Sequence, residues 1–407
     1  MSEKKPMLTL PQALDFLLAA AKPLADMEEV ATIDANGRVL AADQSSLIDV
    51  PPMDNTQMDG YAVRAADCAA RLPLTVSQRI PAGHVPQPLA EGSVARIFTG
   101  AMIPAGADAV VMQEQCTAEG DQVTIAHQPQ SGEWIRRAGE DILAGSTILA
   151  AGTRLRAQEL GLAASVGLAT LPVLRKPRVA VFFTGDELAM PGESLKPGAI
   201  YNSNRFTLRG LLQNLGCDVT DFGIVPDQLA ATRATLREAA TEHDLIITSG
   251  GVSVGEEDHI KPAVEAEGRL NMWQIAIKPG KPLAFGEIDR AAKAPAFFIG
   301  LPGNPVSSFV TFLLLVRPFI LRLQGVADVA PQAFALRADF NWPKADRRNE
   351  FLRARLNAHG GLDLFANQGS GVLTSTVWGD GLIDNPPGQA IVAGDIVRFL
   401  PFSALQN

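Results

Sequence analysis

Between residues 178 and 326, short and almost wholly apolar runs alternate with longer amphipathic ones. RVAVFFT (178–184) is apolar at nearly every position, as expected of a strand covered on both faces. Ser203 to Leu215 follows a helical period, with Asn202 or Ser203 as its cap and Gly216 as its stop. CDVTDFGIV (217–225) predicts a second strand, and Asp227 is placed to cap a helix running through Ala240. DLIITSGG (244–251) predicts a third strand that runs into glycines, and MWQIAIKPGKPLAFGEI (272–288) two short strands around a Pro/Gly turn. AFFIGLPGNP (296–305) predicts a further strand and turn. Val306 to Leu323 predicts a long apolar helix with Pro318 as its kink or break. Strands and helices alternating at this spacing predict a doubly wound, mostly parallel α/β sheet.

The flanking segments have a different rhythm. Near the start, Leu14, Leu17, Leu18 and Ala21 follow helix spacing behind Thr9 and Pro11, which predicts a capped surface helix. Residues 28–150 hold short strand-like runs (ATIDA, ARIFTG, DAVVMQE, QVTIA) separated by Pro and Gly, and Ala157 to Ser165 reads as helical. After Gly325 come AFALRADF, EFLRARLNA and GLDLFAN, with HGG (359–361) as a turn and AIVAGDIVRFL (390–400) as a closing hairpin. The expected fold class is α/β plus β, in several domains. β-rich N-terminal domains precede the α/β domain, and a small C-terminal β-barrel follows it.

Length and composition narrow this picture. A chain of 407 residues with 47% apolar content fits two to four packed domains. Lys and Arg (35) against Asp and Glu (44) leave a net charge of −9, which argues against a nucleic-acid partner but leaves room for local cations around a small anion. The strongest apolar run, Phe309 to Val316, stops at Arg317-Pro318, short of the ~20 residues of a membrane span, so no membrane partner is expected. Lys4, Lys5 and the apolar stretch behind them imitate a signal peptide, but Asp15 interrupts it. Cys68, Cys116 and Cys217 form no disulfide framework or zinc motif, which points to the cytoplasm. The five histidines are scattered, so any metal must be held by oxygen.

Candidate chemistry sits in loops. Three predicted strands end in TGDEL (184–188), SGGVSVGEED (249–258) and GLPGNP (300–305). In a parallel sheet all three would share the carboxyl edge, where ligands of open α/β sheets bind. Glycines admit close backbone approach, and the last loop opens a helix whose N-terminus attracts anions, which suggests a phosphate site; each loop alone is equally a tight strand–helix turn. The acids of the first two loops form either a solvated face or an oxygen site for a hard cation such as Mg²⁺. Lys278 and Lys281 bracket Pro279-Gly280 as a cationic turn or a solvated one, and Arg347, Arg348, Arg353 and Arg355 form a basic stretch, with Arg353 and Arg355 on one face. In the N-terminal part, PPMDNTQMDGYA (51–62), TGAMIP (99–104) and GED (139–141) read as binding loops or simple turns. The P-loop and the GxGxxG fingerprint are absent.

Taken together, these segments resemble the MoeA family, the molybdopterin molybdenumtransferases, which are related to the C-terminal domain of gephyrin. The resemblance is carried in one order by PPMDNTQMDGYAVR (51–64), FTGAMIPAGADAVV (98–111), RRAGEDI (136–142), FFTGDEL (182–188), TSGGVSVGEEDHI (248–260), IKPGKP (277–282) and GLPGNPVSS (300–308). Beyond residue 327 the QGSG turn (368–371) is the best local echo.

The resemblance implies insertion of molybdate into adenylylated molybdopterin, with Mg²⁺-assisted hydrolysis of the adenylate and release of AMP. It implies a homodimer, and other molybdenum cofactor biosynthesis proteins as partners. It also implies four domains: 1–27 with 45–53 and 142–177; 28–44 with 54–141; 178–326; and 327–407. Asp186, Glu187 and Asp258 would hold metal or position water, with Asp59, Thr99 and Asp141 assisting from the partner subunit. Thr184, Gly185, Ser249, Gly250, Gly251, Ser253, Pro302, Gly303 and Asn304 would line the pterin-phosphate crevice. Lys278, Lys281, Arg348 and Ser370 would contact anions. Some relatives carry lysine where this chain has Gln274, which removes one cation. The alternatives are a molybdopterin adenylyltransferase, whose family shares the TSGG and Gly/Pro loops, and a gephyrin-like scaffold.

Overall fold

A computed structural model describes residues 7–252, 259–291 and 293–406. Its centre is a six-stranded sheet: β1 Arg178–Thr184, β2 Asp218–Val225, β3 Leu245–Ser249, β4 Gly268–Gln274, β5 Pro282–Ile288 and β6 Ala296–Leu301. The spatial order is β2-β1-β3-β6-β5-β4. The first four are parallel neighbours, and β5 alone is reversed, pairing antiparallel with β6 on one side and β4 on the other. The connections explain the change: helices cross between the parallel strands, whereas the short links on either side of β5 can only reverse the chain. Alternate residues of β1 serve opposite faces. Val179, Val181 and Phe183 pack with Leu208, Leu211 and Leu212 of helix Ser203–Asn214. Ala180 and Phe182 pack with Leu236 and Ala239 of helix Leu229–Glu242. Both faces are dry, hence the unbroken apolar strand.

The caps are partly as expected. Asn202 Oδ1 accepts from Arg205 N at 3.1 Å, and Gly216 follows the helix end with φ +74. Asp227, however, does not cap the next helix. Gln228 N donates to Pro226 O, which moves the helix boundary to Gln228, and no side-chain cap forms.

The helix expected to bend or stop at Pro318 continues through it. Pro305–Thr311 is α-helical, Phe312–Val316 widens into a π turn, and Arg317–Leu323 is α-helical again. A proline cannot donate its N–H, and its ring crowds the carbonyl one turn back; the wider turn just before it relieves both. This 19-residue helical run is long and apolar enough to cross a membrane, but 94% of its most apolar window is buried in the protein. Its apolarity belongs to a core.

That core joins three parts of the chain. Helix Leu10–Ala20 starts with a capping box, Gln12 N to Thr9 Oγ1 and Thr9 N to Gln12 Oε1, and buries Ala13 and Leu17 there. The C-terminal part adds Phe351, Leu382, Leu400 and Phe402 to the same cluster.

The C-terminal strands close into a barrel. Phe334–Arg337 pairs with Ile396–Pro401, which pairs with Gly381–Asn385, then Asn349–Leu356, then Leu362–Leu364. An Ala338–Leu362 bridge completes the ring. Residues 390–400 do not form the expected hairpin: Ile391 bridges Trp342, and only Ile396–Pro401 joins the barrel. The parallel pairing of Ile277–Lys278 with Asn349–Glu350 stitches the barrel to the α/β domain.

In the N-terminal part, six short strands between residues 60 and 125 form a separate sheet with a core on each face. Met27–Ala31 does not join it. It pairs antiparallel with Thr170–Leu174, and Ala35 and Leu40 share a core with Leu149 and Leu171. Residues 28–44, expected with the inserted sheet, thus lie beside 142–177, because their partner strand is far along the chain and no local pattern announces it.

The shared core predicts where stability resides. Phe319 is fully buried, 5.1 Å from the Phe297 ring and 5.7 Å from that of Phe285. Phe319→Ala should destabilise the protein by about 3–5 kcal/mol, read from chemical denaturation. Phe16→Ala should cost less, since that ring is half exposed.

Candidate active site

The order β2-β1-β3 makes the gap between β1 and β3 the point where successive crossovers leave in opposite directions, and a crevice opens there. The loops after β1, β3 and β6 meet at its edge because those strands are adjacent and parallel. A buried polar network ties them together. Asn204 Nδ2 donates to Ser249 Oγ and to Gly303 O, both at 2.8 Å, and Ser249 Oγ donates to Pro302 O at 2.9 Å. Gly250, at φ +100, lets its loop pass where a Cβ would sit 3.0 Å from Thr184 O. At Gly185, φ +143, a Cβ would fall 2.6 Å from Glu187 Oε2.

The crevice has a volume of about 720 Å³. Thr184, Glu187, Ser249, Gly250 and Gly251 line one side, with Pro302, Gly303 and Asn304 beside them. Lys278, Lys281, Arg348 and Ser370 line it from the 277–282 turn and the barrel. Gly185 and Asp186 belong to the same turn as Glu187 without lining the crevice, and Asp186 and Glu187 are exposed. Ser253 and Asp258, with Glu256 and Glu257, lie outside the described residues. Among the described residues, no three His, Cys, Asp or Glu side chains converge as a metal site.

The cations are not bare. Lys278 Nζ lies 3.0 Å from Glu350 Oε1 and 3.3 Å from Asp346 Oδ2. Arg348 grips Asp346 with Nε and Nη2, each at 3.0 Å. These bonds, those from Arg348 foremost, hold the Asp346 carboxyl well below the usual carboxylate range. Lys281 makes no ion pair among the described residues.

The basic stretch divides by burial. Arg353 is fully buried and held by neutral oxygens: Ser375 Oγ, Phe351 O and Gly369 O. Burial lowers its pKa to about 10. It anchors the 368–370 loop, and Val306 N donates to Ser370 O, fixing that loop over the helix start. Arg355 stays exposed, its guanidinium 4.5 Å from the Trp378 ring centre. The expectation of one shared charged face thus fails at Arg353, which the 365–375 segment covers.

Asn202, Asn204 and Gln368 were not anticipated as crevice-lining residues, nor Glu350 as the partner of Lys278. The only local sign of Asn204 is its place in the first turn of a helix that leaves the β1 edge. Glu350 gave no sign, because its partners come from residues 278, 342 and 385.

A second constellation forms in the N-terminal part. Asn55–Thr56 pairs with Ile135–Arg136, Arg137 Nη1 meets Asp54 Oδ2 at 2.6 Å, Thr56 N donates to Ala101 O, and Asp141 N donates to Val50 O. Asp59 Oδ1 accepts from Thr99 N at 2.7 Å and from Thr99 Oγ1 at 2.8 Å. The three N-terminal loops therefore come together. Asp59, Thr99 and Asp141 do not line the crevice of their own chain.

Three family models match in succession: the MoeA N-terminal region (domain I and II) over residues 8–167, a probable molybdopterin binding domain over 180–322, and the MoeA C-terminal region (domain IV) over 335–402. The chain belongs to the MoeA family. A molybdopterin molybdenumtransferase of Haemophilus influenzae is 41% identical over 98% of this chain and 100% of its own. One of Nostoc sp. is 40% identical over 74% and 70%. A crystal structure of the molybdopterin biosynthesis moeA protein of Pyrococcus horikoshii OT3 matches with a TM-score of 0.84 at 29% identity, over 97% of this chain and 100% of that one. The MoeA architecture thus accounts for the α/β domain, the barrel and the β-rich N-terminal sheet together.

The Asp59–Thr99 contact makes a titration prediction. The Thr99 amide, then its hydroxyl, lowers the Asp59 pKa. The stabilisation is therefore present above the ordinary carboxyl value, about 3.9, and is lost as pH falls through the lower folded value. Thr99→Val removes the hydroxyl donor and keeps the amide. The Asp59 carboxyl, followed by NMR, should titrate at higher pH than in the parent but still below an unperturbed aspartate.

Proposed function

We propose that the crevice is where molybdate is inserted into adenylylated molybdopterin, with hydrolysis of the adenylate and release of AMP and the molybdenum cofactor. The MoeA family acts in molybdenum cofactor biosynthesis, and the relatives above carry the name molybdopterin molybdenumtransferase. The observation that carries the reading is convergence. Three Gly/Pro loops, two lysines, one arginine and Ser370 face one space of a size suited to a cofactor-like ligand.

In this reading Thr184, Ser249, Gly250, Gly251, Pro302, Gly303 and Asn304 cradle the pterin phosphate, with Gly185 shaping the turn behind them. Lys278, Lys281, Arg348 and Ser370 take the oxyanion, molybdate or the adenylate phosphate. Gln274 supplies no charge. Asp346 and Glu350 already balance Lys278 and Arg348, so a polyanionic substrate brings more negative charge than Lys281 can offset. Oxygen donors suit a hard cation there. The Glu187 carboxylate lines the crevice without a cationic partner among the described residues, and it lies against Gly185, where a Cβ would fall 2.6 Å from its Oε2. Asp186 and Glu187, with Asp258, would hold Mg²⁺, whose charge would offset the substrate phosphates. Glu187 would also orient water toward the adenylate.

The N-terminal cluster gives the reading its oligomeric form. Thr99 and Asp141 are exposed, Asp59 is half-buried, and none of the three lines its own crevice, which supports a homodimer in which each chain completes the partner's site. The same reading divides the chain into four domains, with 27–31 joined to 142–177. Three free cysteines support a cytoplasmic location, where other molybdenum cofactor biosynthesis proteins would deliver substrate and receive product.

The assay supplies adenylylated molybdopterin, molybdate and Mg²⁺ and follows AMP. AMP release should depend on molybdate, and Glu187→Gln should lower kcat by about 10²-fold or more with unchanged thermal stability. Release that ignores molybdate refutes the insertion reaction, and adenylylation of molybdopterin from ATP by this chain would establish the adenylyltransferase instead.

A further inference from the structure

Glu350 is the most deeply buried acid among the described residues. Its side chain is 1% exposed, yet it faces a cation at the rim of the crevice. It sits in the barrel strand Asn349–Leu356, in register with Lys278 on one side and Asn385 on the other. Each carboxylate oxygen is engaged: Oε1 by Lys278 Nζ at 3.0 Å, Oε2 by Trp342 Nε1 at 2.9 Å and by Asn385 Nδ2 at 3.4 Å. Lys278 is 38% exposed, so the pair runs from the barrel interior to the crevice. Asp346 then bridges Lys278 to Arg348. The four groups form a neutral chain, Glu350–Lys278–Asp346–Arg348.

We infer that Glu350 is a positioning residue for oxyanion binding, and that it acts by holding the Lys278 ammonium in place. This rests on the assignment of Lys278 and Arg348 to an oxyanion. A lysine has a flexible four-carbon stem, and fixing it on binding costs rotamer entropy. Here a buried carboxylate, itself fixed by an indole and an amide, holds the ammonium before the anion arrives. Asp346 sets its spacing from the Arg348 fork. The Lys278 Nζ has three donors and keeps one for a ligand while two face Glu350 and Asp346.

A rival role has the opposite sign. If Glu350 acted only as a negative charge near the site, it would repel an oxyanion, and removing it would tighten binding. The glutamine amide settles which effect wins. With its oxygen on Trp342 and Asn385, its NH₂ points a donor at the Lys278 ammonium; with its oxygen on Lys278, the indole N–H loses its acceptor.

The test is calorimetric titration of the full-length protein with sodium molybdate at fixed ionic strength. Glu350→Gln should weaken binding about tenfold, which is about 1.4 kcal/mol. Glu350→Asp, which keeps the charge, should recover part of that loss. In a Lys278→Ala background, Glu350→Gln should have no further effect on the Kd, a coupling that a general loss of stability would not produce. If Glu350→Gln fails to fold, Glu350→Asp and the Lys278→Ala comparison, repeated with Glu350→Asp, carry the test. Unchanged or tighter binding by the folded variants overturns the inference alone. Absence of saturable binding by the parent protein overturns the oxyanion assignment, and the inference with it.

Discussion

The molecule depends on one apolar core that belongs to no single domain. The helical run Pro305–Leu323 lies at its centre, covered by Ala13 and Leu17 from the N-terminal helix, by β1, β3, β5 and β6, and by Phe351, Leu382, Leu400 and Phe402 from the barrel. Burial of this area is the main force that fixes where the barrel stands relative to the sheet. The crevice needs that placement. Its glycine loops come from the sheet edge, while Arg348 and Ser370 come from the barrel. A barrel tethered only by a linker would leave the two halves of the site at no defined distance. The Ile277–Lys278 strand adds a second tie, and it carries one of the site's lysines directly into the barrel's hydrogen-bonding edge.

Electrostatics in the crevice follow from the acidic character of the chain rather than opposing it. A free cluster of three cations would bind any available anion and would repel itself when empty. Here Asp346 and Glu350 balance Lys278 and Arg348, and only Lys281 remains without an ion pair among the described residues. Neutral preorganisation of this kind favours geometry over raw charge, because in the proposed reading a planar arginine fork and a held ammonium would offer directed hydrogen bonds to an oxyanion. The same economy appears at Arg353, whose buried guanidinium binds only neutral oxygens and shapes the loop that brings Ser370 to the site.

Much of this was legible in the sequence, and the reason is local. Period-2 and period-3.6 patterns report which side of an element is dry, so RVAVFFT, the helix after Asn202 and the apolar run to Leu323 could be placed to within a residue or two. Parallel β-α alternation then brings TGDEL, SGG and GLPGNP to one edge without any tertiary information. Local patterns misled where a neighbour changed the outcome. Pro318 is tolerated by a π turn, Asp227 is bypassed by a tight turn at Pro226, and Arg353 is covered by a loop that follows it.

The sequence by itself determined most elements of the α/β domain, its doubly wound sheet and the edge at which its glycine loops meet, because each depends on spacing within about 20 residues. Only the tertiary structure decided that Met27–Ala31 belongs beside Thr170–Leu174, that the barrel shares its core with the sheet, and that Asp59 and Thr99 stand apart from the crevice of their own chain. It alone set the charge state of the crevice, since Glu350 reaches Lys278 across 72 positions of sequence. The physical reason is the same throughout. Burial periodicity is written along the chain, whereas strand partners and ion-pair partners are chosen by distance in space, which no local pattern encodes.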